Sequence, residues 1–227
     1  MSDPYEVVYS EEHWKLIEKF RKQAVQLMRP LHEKHLSCVV YGSIARGDVK
    51  ETSDIDVFIS GASSPPLIQT IIENSNLRIT HREIIQATPS YAAKGYLYID
   101  EKRGYSFSLI PLKTNEEEFY TFAGSIDLNS ILDNDRVLGV DKRLKLIEPT
   151  ENGHIESSIQ GFEGSVAKKL GVDLRIVQER IRTLRRRERV GRTGVYLKRE
   201  LGPEESFSNV FRELTLKRPA LRRRMRK

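Results

Sequence analysis

The sequence predicts an α/β (α+β) protein: a mixed sheet covered by helices, followed by a small, basic, helical C-terminal domain. Three observations carry this. Apolar runs of strand length recur between residues 37 and 112, helical periodicities flank them, and the sign of the charge changes in the last third. The whole chain of 227 residues has a net charge of +6, yet residues 151–227 hold 20 Lys and Arg against 10 Asp and Glu. That third is therefore +10 and the remainder −4, which points to a polyanionic partner for the C-terminal part, with nucleic acid the leading candidate and DNA favoured over RNA.

The elements follow in order. Between residues 10 and 35, Trp14, Ile17, Phe20, Ala24, Leu27, Met28 and Leu31 recur every three to four residues, so an amphipathic helix is expected with Pro30 near its end. Ser37 to Tyr41 and Asp54 to Ile59 read as strands. Pro65-Pro66 starts a helix through about Asn74, and Leu77 to Ala87 reads as a strand. Tyr96 to Ile99 and Tyr105 to Leu112, separated by Asp-Glu-Lys-Arg-Gly, read as a hairpin. This places a first domain at 1–120 and a connector at 121–152 that mixes charged and aromatic residues. A second domain, 153–227, ends in a basic tail from Leu221 that no core is expected to bury.

Two short motifs carry the chemistry. Gly42-Ser43 ends the first motif strand, and a residue without Cβ lets a backbone N–H approach a phosphate while Ser43 adds a hydroxyl donor. On the second motif strand, Asp54 and Asp56 point to one face while Ile55 and Val57 point to the other. Two neighbouring carboxylates repel each other, and a divalent cation relieves the repulsion. Together these groups would hold a nucleoside triphosphate against Mg²⁺. Arg46 is expected to contact its phosphates, and Lys50 is a weaker candidate. The bland alternative is an ordinary strand-to-helix turn followed by solvated edge aspartates.

This Gly-Ser turn followed by Asp-x-Asp on the next strand resembles the nucleotidyltransferase superfamily that includes DNA polymerase β, the CCA-adding enzymes and the aminoglycoside nucleotidyltransferases. The resemblance covers roughly residues 36–60. It implies a nucleotidyltransferase-like mixed sheet with Asp54 and Asp56 as catalytic and metal-holding residues. It also implies two-metal chemistry with Mg²⁺, or Mn²⁺ as the alternative ion. The superfamily usually adds a third acid on a later strand, and in the matching segment Phe107-Ser108-Leu109-Ile110-Pro111 that position is Ser108. Glu83, Asp100 and Glu101 are the candidate substitutes. His81 reads as structural.

In the last third, Ile155 to Leu170, the turn Gly171-Val172-Asp173 and Leu174 to Arg187 form a helix-turn-helix pattern. Arg175, Gln178, Arg182, Arg185 and Arg186 line the exposed side of its second helix. The glycine-punctuated Arg189 to Tyr196 reads as a short hairpin, so that the whole resembles a winged helix-turn-helix domain with Arg192 at the wing tip. A homodimer is the arrangement such domains often adopt on two half-sites.

Cys38 lies in an apolar strand and is expected to be a small core residue, not a thiol nucleophile or a zinc ligand. The chain has neither a long apolar run nor a signal-peptide layout at its N-terminus, so a cytoplasmic protein with no membrane contact is expected. Two functions fit these features. One is an Mg²⁺-dependent nucleotidyltransferase that moves a nucleoside monophosphate from an NTP to an acceptor and has a nucleic-acid-binding C-terminal domain. The other is a DNA-binding transcriptional regulator whose nucleotidyltransferase-like domain is weakened or silent.

Overall fold

The structure is a computed structural model that describes residues 4–61, 64–191 and 193–225. Strand β1 (Tyr5–Val8) leads into helix α1 (Glu11–Glu33), whose buried face is formed by Ile17, Phe20, Ala24, Leu27, Met28 and Leu31. That face follows from their three-to-four spacing. Pro30 lies inside the helix near its end. Strand β2 (Cys38–Tyr41), the single turn α2 (Ser43–Arg46) and strand β3 (Ile55–Ile59) carry the two motifs. Helix α3 (Pro65–Glu73) begins on Pro65, where a missing N–H costs nothing.

Strands β4 (His81–Gln86), β5 (Lys94–Tyr98) and β6 (Arg103–Ser108) follow. The stretch expected to be a connector is regular instead: α4 (Thr114–Ala123), β7 (Ser125–Ile126), α5 (Leu128–Leu132), β8 (Gly139–Val140) and β9 (Lys145–Thr150). Then come β10 (Gly153–Ser158), α6 (Glu163–Leu170), α7 (Leu174–Val190), β11 (Leu197–Glu200), α8 (Phe207–Lys217) and α9 (Pro219–Met225). No helix among the described residues is long and apolar enough to cross a membrane.

The chain divides into two compact units. The first comprises Met1–Val25, Val40–Ile55 and Thr114–Thr193. Its four-stranded sheet has the order β1-β10-β9-β8, with the three pairs antiparallel. A Cβ on Gly153 would lie 1.9 Å from the Val7 carbonyl oxygen, so only glycine lets β1 approach β10 there. In the same unit the end of β2 pairs with β7, Val40 opposite Ile126.

The helix pair α6–α7 forms, with Gly171 in a left-handed C-cap and the Asp173 carboxylate capping α7 through the Arg175 N–H. It is not a free-standing domain. Val166, Ala167, Ile176, Val177 and Ile181 share one core with Phe122 and Leu146, so the helices rest on the segment expected to be a connector. Only the second half of the predicted first helix is helical, because 153–158 is taken by β10.

The second unit comprises Gln26–Val39, Asp56–Lys113 and Gly194–Lys227, and its strands follow the order β11-β4-β5-β6-β3-β2. Of the expected hairpin over 189–196, residues 189 and 190 belong to the end of α7 and Arg192 lies outside the described residues; the strand that follows, β11, pairs antiparallel with β4, Leu197 opposite Gln86 and Glu200 opposite Glu83. An isolated two-stranded ribbon is marginal, whereas the edge of β4 offers unpaired N–H and C=O groups and a place to bury Leu197. Residues 194–227 thus fall in the second unit, with β11 on its sheet.

One face of that sheet is closed by helices: Phe107 meets Phe207 of α8 edge-on at 5.1 Å, and Tyr105 donates to the Leu27 carbonyl of α1 at 2.9 Å. The basic tail is corrected too. It forms α9, with Leu221 fully buried and Arg224 donating to the Pro111 carbonyl; its last two residues lie outside the described ones.

Candidate active site

Gly42 has φ +82°, a conformation that an L side chain adopts only under strain, and it swings the chain from β2 into α2. Its own N–H is bonded to the Gly124 carbonyl at 2.8 Å, so this group is not the phosphate donor expected from the sequence. What the glycine supplies is the turn itself, which faces open space. The Ser43 hydroxyl donates to the Ser53 hydroxyl oxygen at 3.1 Å, and Ser53 in turn accepts the Lys50 N–H at 2.9 Å. These two bonds fasten the turn to the loop that ends in Asp54.

Three arginines support the turn. Arg21, buried, donates to the Ile44 carbonyl at 3.3 Å and to the Ala45 carbonyl at 3.2 Å. Burial, helped by the charge of Arg136, lowers its pKa to about 10. Arg136 lies over the rings of Trp14 at 4.8 Å and Tyr9 at 5.7 Å, and a Cβ on Gly47 would come within 2.7 Å of its side chain.

Arg46 is the third, and it corrects an expectation. It is 4% exposed, grips both oxygens of Asp48 at 3.0 and 2.9 Å, and donates to the Ala123 carbonyl at 2.5 Å. Its guanidinium is spent on the protein and holds the turn; it does not face a phosphate. Lys50, by contrast, is exposed. A signal for Arg21 was present in the sequence, since it falls within the apolar stripe of α1 four residues after Ile17. Nothing local marked Arg136.

Asp54 and Asp56 are exposed, whereas Ile55 and Val57 are fully buried, which is the alternation of a strand with one face in the core. Asp54 is the last residue but one of its segment in the first unit, which Ile55 closes, and Asp56 opens the next segment, in the second. Within the second unit, the sheet face opposite the helices is polar. Across it, Glu83, Tyr96 and Ser106 stand in register on β4, β5 and β6. Burial pushes the Tyr96 hydroxyl up to about 12, and the negative charges of Asp56 and Glu83 add to the shift.

The position expected to carry a third acid holds Ser108, whose hydroxyl donates to the Ile110 carbonyl. Glu83 does not substitute for it. It lies three strand spacings from β3 in the sheet order, about 14 Å at the usual separation, too far to share an ion with Asp56. Burial alone would raise the Glu83 carboxyl. Donors from Tyr98 at 2.6 Å, Lys198 at 2.9 Å and His81 at 3.4 Å outweigh burial and hold it below the usual glutamate range. His81 also faces Glu200 at 3.1 Å, so this group clasps β11 to β4. Asp100 is occupied by the Lys102 and Arg103 N–H groups and by the Arg103 side chain, and Glu101 is exposed in the same turn. Among the described residues no three His, Cys, Asp or Glu side chains are grouped closely enough to hold a metal ion.

Residues 16–118 match the family model of the nucleotidyltransferase domain. The matched span runs from α1 into α4 and contains Gly42, Ser43, Asp54, Asp56 and Ser108, and the mixed α/β architecture agrees with it. Comparison with curated proteins and with solved structures gave no match. The likeness over this span suggests nucleotide transfer in general. The helix pair lies beyond the matched span. There Arg175 grips its own cap residue, Asp173, which it holds at a pKa of about 2, while Gln178, Arg182, Arg185 and Arg186 are exposed. Arg192 lies outside the described residues.

Proposed function

We propose that the protein is a divalent-metal-dependent nucleotidyltransferase that moves a nucleoside monophosphate from an NTP to an acceptor, with pyrophosphate leaving. The observation that carries the reading is the Ser43–Ser53 hydrogen bond, which sets the Gly42-Ser43 turn beside the loop leading to the exposed Asp54 and, two residues on, Asp56. Two carboxylates on one strand face suit Mg²⁺, which is commonly held by one or two carboxylates with its remaining positions left to phosphate oxygens and water; Mn²⁺ is the alternative. The ion would neutralise charge on the triphosphate. Asp54 and Asp56 hold it, and the Gly42-Ser43 turn orients the phosphate chain. Ser108 cannot take a proton from an attacking hydroxyl as a carboxylate would, so transfer to an alcohol is slow.

The acceptor in this reading is a nucleic acid, or a molecule met on one, with exposed arginines of α7 as its contact. The calorimetric test titrates each of the four NTPs with and without Mg²⁺ into the native chain and into Asp54→Asn/Asp56→Asn. Metal-dependent binding lost in the double variant supports the assignment, and absence of NTP binding to the native chain sinks it. Ser108 itself favours a second reading, a cytoplasmic DNA-binding regulator that keeps the nucleotide site without turnover. NTP binding without pyrophosphate release, in the presence of nucleic acid acceptors, would select it.

A further inference from the structure

The last two turns of α7 carry Arg182, Arg185, Arg186 and Arg189, an i, i+3, i+4, i+7 set that lies along one side of a helix. In most helices of a folded unit such a stripe is apolar. Here all four are exposed, and with Glu188 they line an open depression of about 560 Å³. The buried apolar residues that anchor α7, Ile176, Val177 and Ile181, precede this stretch, and Leu184 packs on the same core, while the four arginines are exposed.

Like charges at i, i+3 and i, i+4 repel each other, and the contacts these arginines make in the protein offset little of that. Arg185 donates to the Gln160 side chain and Arg182 to the Gln178 carbonyl, both neutral partners; Glu188, Glu163 and Glu179 are acids nearby. No Lys is present in the stretch, only guanidinium groups, whose planar fork matches a phosphate in two hydrogen bonds.

The N-terminal half of α7, which a base-reading helix would place in a groove, is poor in free charge. Arg175 is tied to Asp173, and Glu179 is acidic. At 1.5 Å per residue, Arg182 to Arg189 spans about 10 Å, the length of roughly three phosphates along one strand. A membrane surface fits less well, since the stripe itself is wholly charged and the exposed Val190 beside it offers only a small apolar side chain to insert.

We propose that this stripe is a clamp for the sugar-phosphate backbone of a nucleic acid, engaged without regard to base sequence. The inference rests on the reading that the chain contacts nucleic acid, and it leaves Arg175 and Gln178 out of the contact and adds Arg189 to Arg182, Arg185 and Arg186.

The test is fluorescence anisotropy of the full chain with labelled single-stranded RNA, single-stranded DNA and duplex DNA, each in two scrambled sequences, between 50 and 200 mM salt. Arg185→Gln/Arg189→Gln should weaken binding at least about tenfold and flatten the log–log salt slope on duplex by about 1.8, the share of two phosphates. Arg175→Ala/Gln178→Ala should stay within about twofold, and scrambling should matter as little. Comparison of the three strands names the source of the backbone. The clamp is overturned by no binding at 50 mM salt, by an equal loss in the Arg175/Gln178 variant, or by strong dependence on sequence. It is overturned also if anionic vesicles are bound and strands are not. Unchanged melting temperatures exclude misfolding, and Arg185→Glu/Arg189→Glu must deepen the loss. Asp54→Asn/Asp56→Asn should bind strands as the native chain does. If strands fail while NTP still binds, only the clamp falls; if NTP fails while strands bind, only the transfer reading does.

Discussion

Arginine does opposite work in two regions of the first unit. Around the Gly42-Ser43 turn, Arg21 and Arg46 are buried and their donors end on main-chain carbonyls or on Asp48. At the end of α7, Arg182, Arg185, Arg186 and Arg189 are exposed, with Glu188 beside them. A buried guanidinium must have its hydrogen bonds met inside the protein, which makes it a support; an exposed one keeps its charge for a partner. Residue type alone cannot separate these cases, and burial does.

The largest effect should come from the motif that the buried arginines support. Asp54→Asn or Asp56→Asn should lower nucleotide transfer by at least about a thousandfold while leaving the unfolding midpoint nearly unchanged, as expected for exposed side chains. Full activity in both variants, read as pyrophosphate release, would detach the turn from any chemistry. Next, Arg46→Ala should cost about 3–5 kcal/mol in urea unfolding, because it leaves the largely buried Asp48 without its partner. A surface-like cost under about 0.5 kcal/mol would break the comparison.

Ser108→Asp should sharpen it from the other side. A carboxylate restored at that position should raise turnover on an alcohol acceptor by about 10²-fold, the lower range for a general base, without tightening strand binding.

Smaller again is the pH dependence set by Glu83. Its folded carboxyl titrates below the unfolded one, so its contribution to stability is complete above the ordinary glutamate range, near about 4.3, and is lost as pH falls through the lower folded value. Glu83→Gln should therefore flatten the acid limb of a stability profile between roughly pH 5 and 3, with little change in its shape near neutrality. Last, Arg186→Ala should raise the melting temperature slightly, because removing a like-charge neighbour relieves about 0.2–0.5 kcal/mol per pair. A loss of stability would mean that the stripe has a support role after all.

Much of the candidate site was legible because it is local. The alternation at Asp54, Ile55, Asp56 and Val57 depends only on strand geometry, the inner face of α1 only on helical spacing, and the Asp173 cap only on the residue two positions on. Arg46 looked free beside the turn because nothing within ten residues shows that the Ala123 carbonyl will reach it. Gly42 was read correctly as a turn, but its N–H is spent on Gly124, more than eighty residues away.

The sequence by itself determined the local periods, the turn and the paired carboxylates, and the excess of arginine in α7, because each is a property of neighbours along the chain. Only the tertiary structure decided that the helix pair shares its core with Phe122 and Leu146, and that Leu197–Glu200 closes the sheet edge at β4. The physical reason is that an exposed strand edge and an unfilled core accept whichever distant segment satisfies their hydrogen bonds and apolar surface, and that choice has no period along the chain.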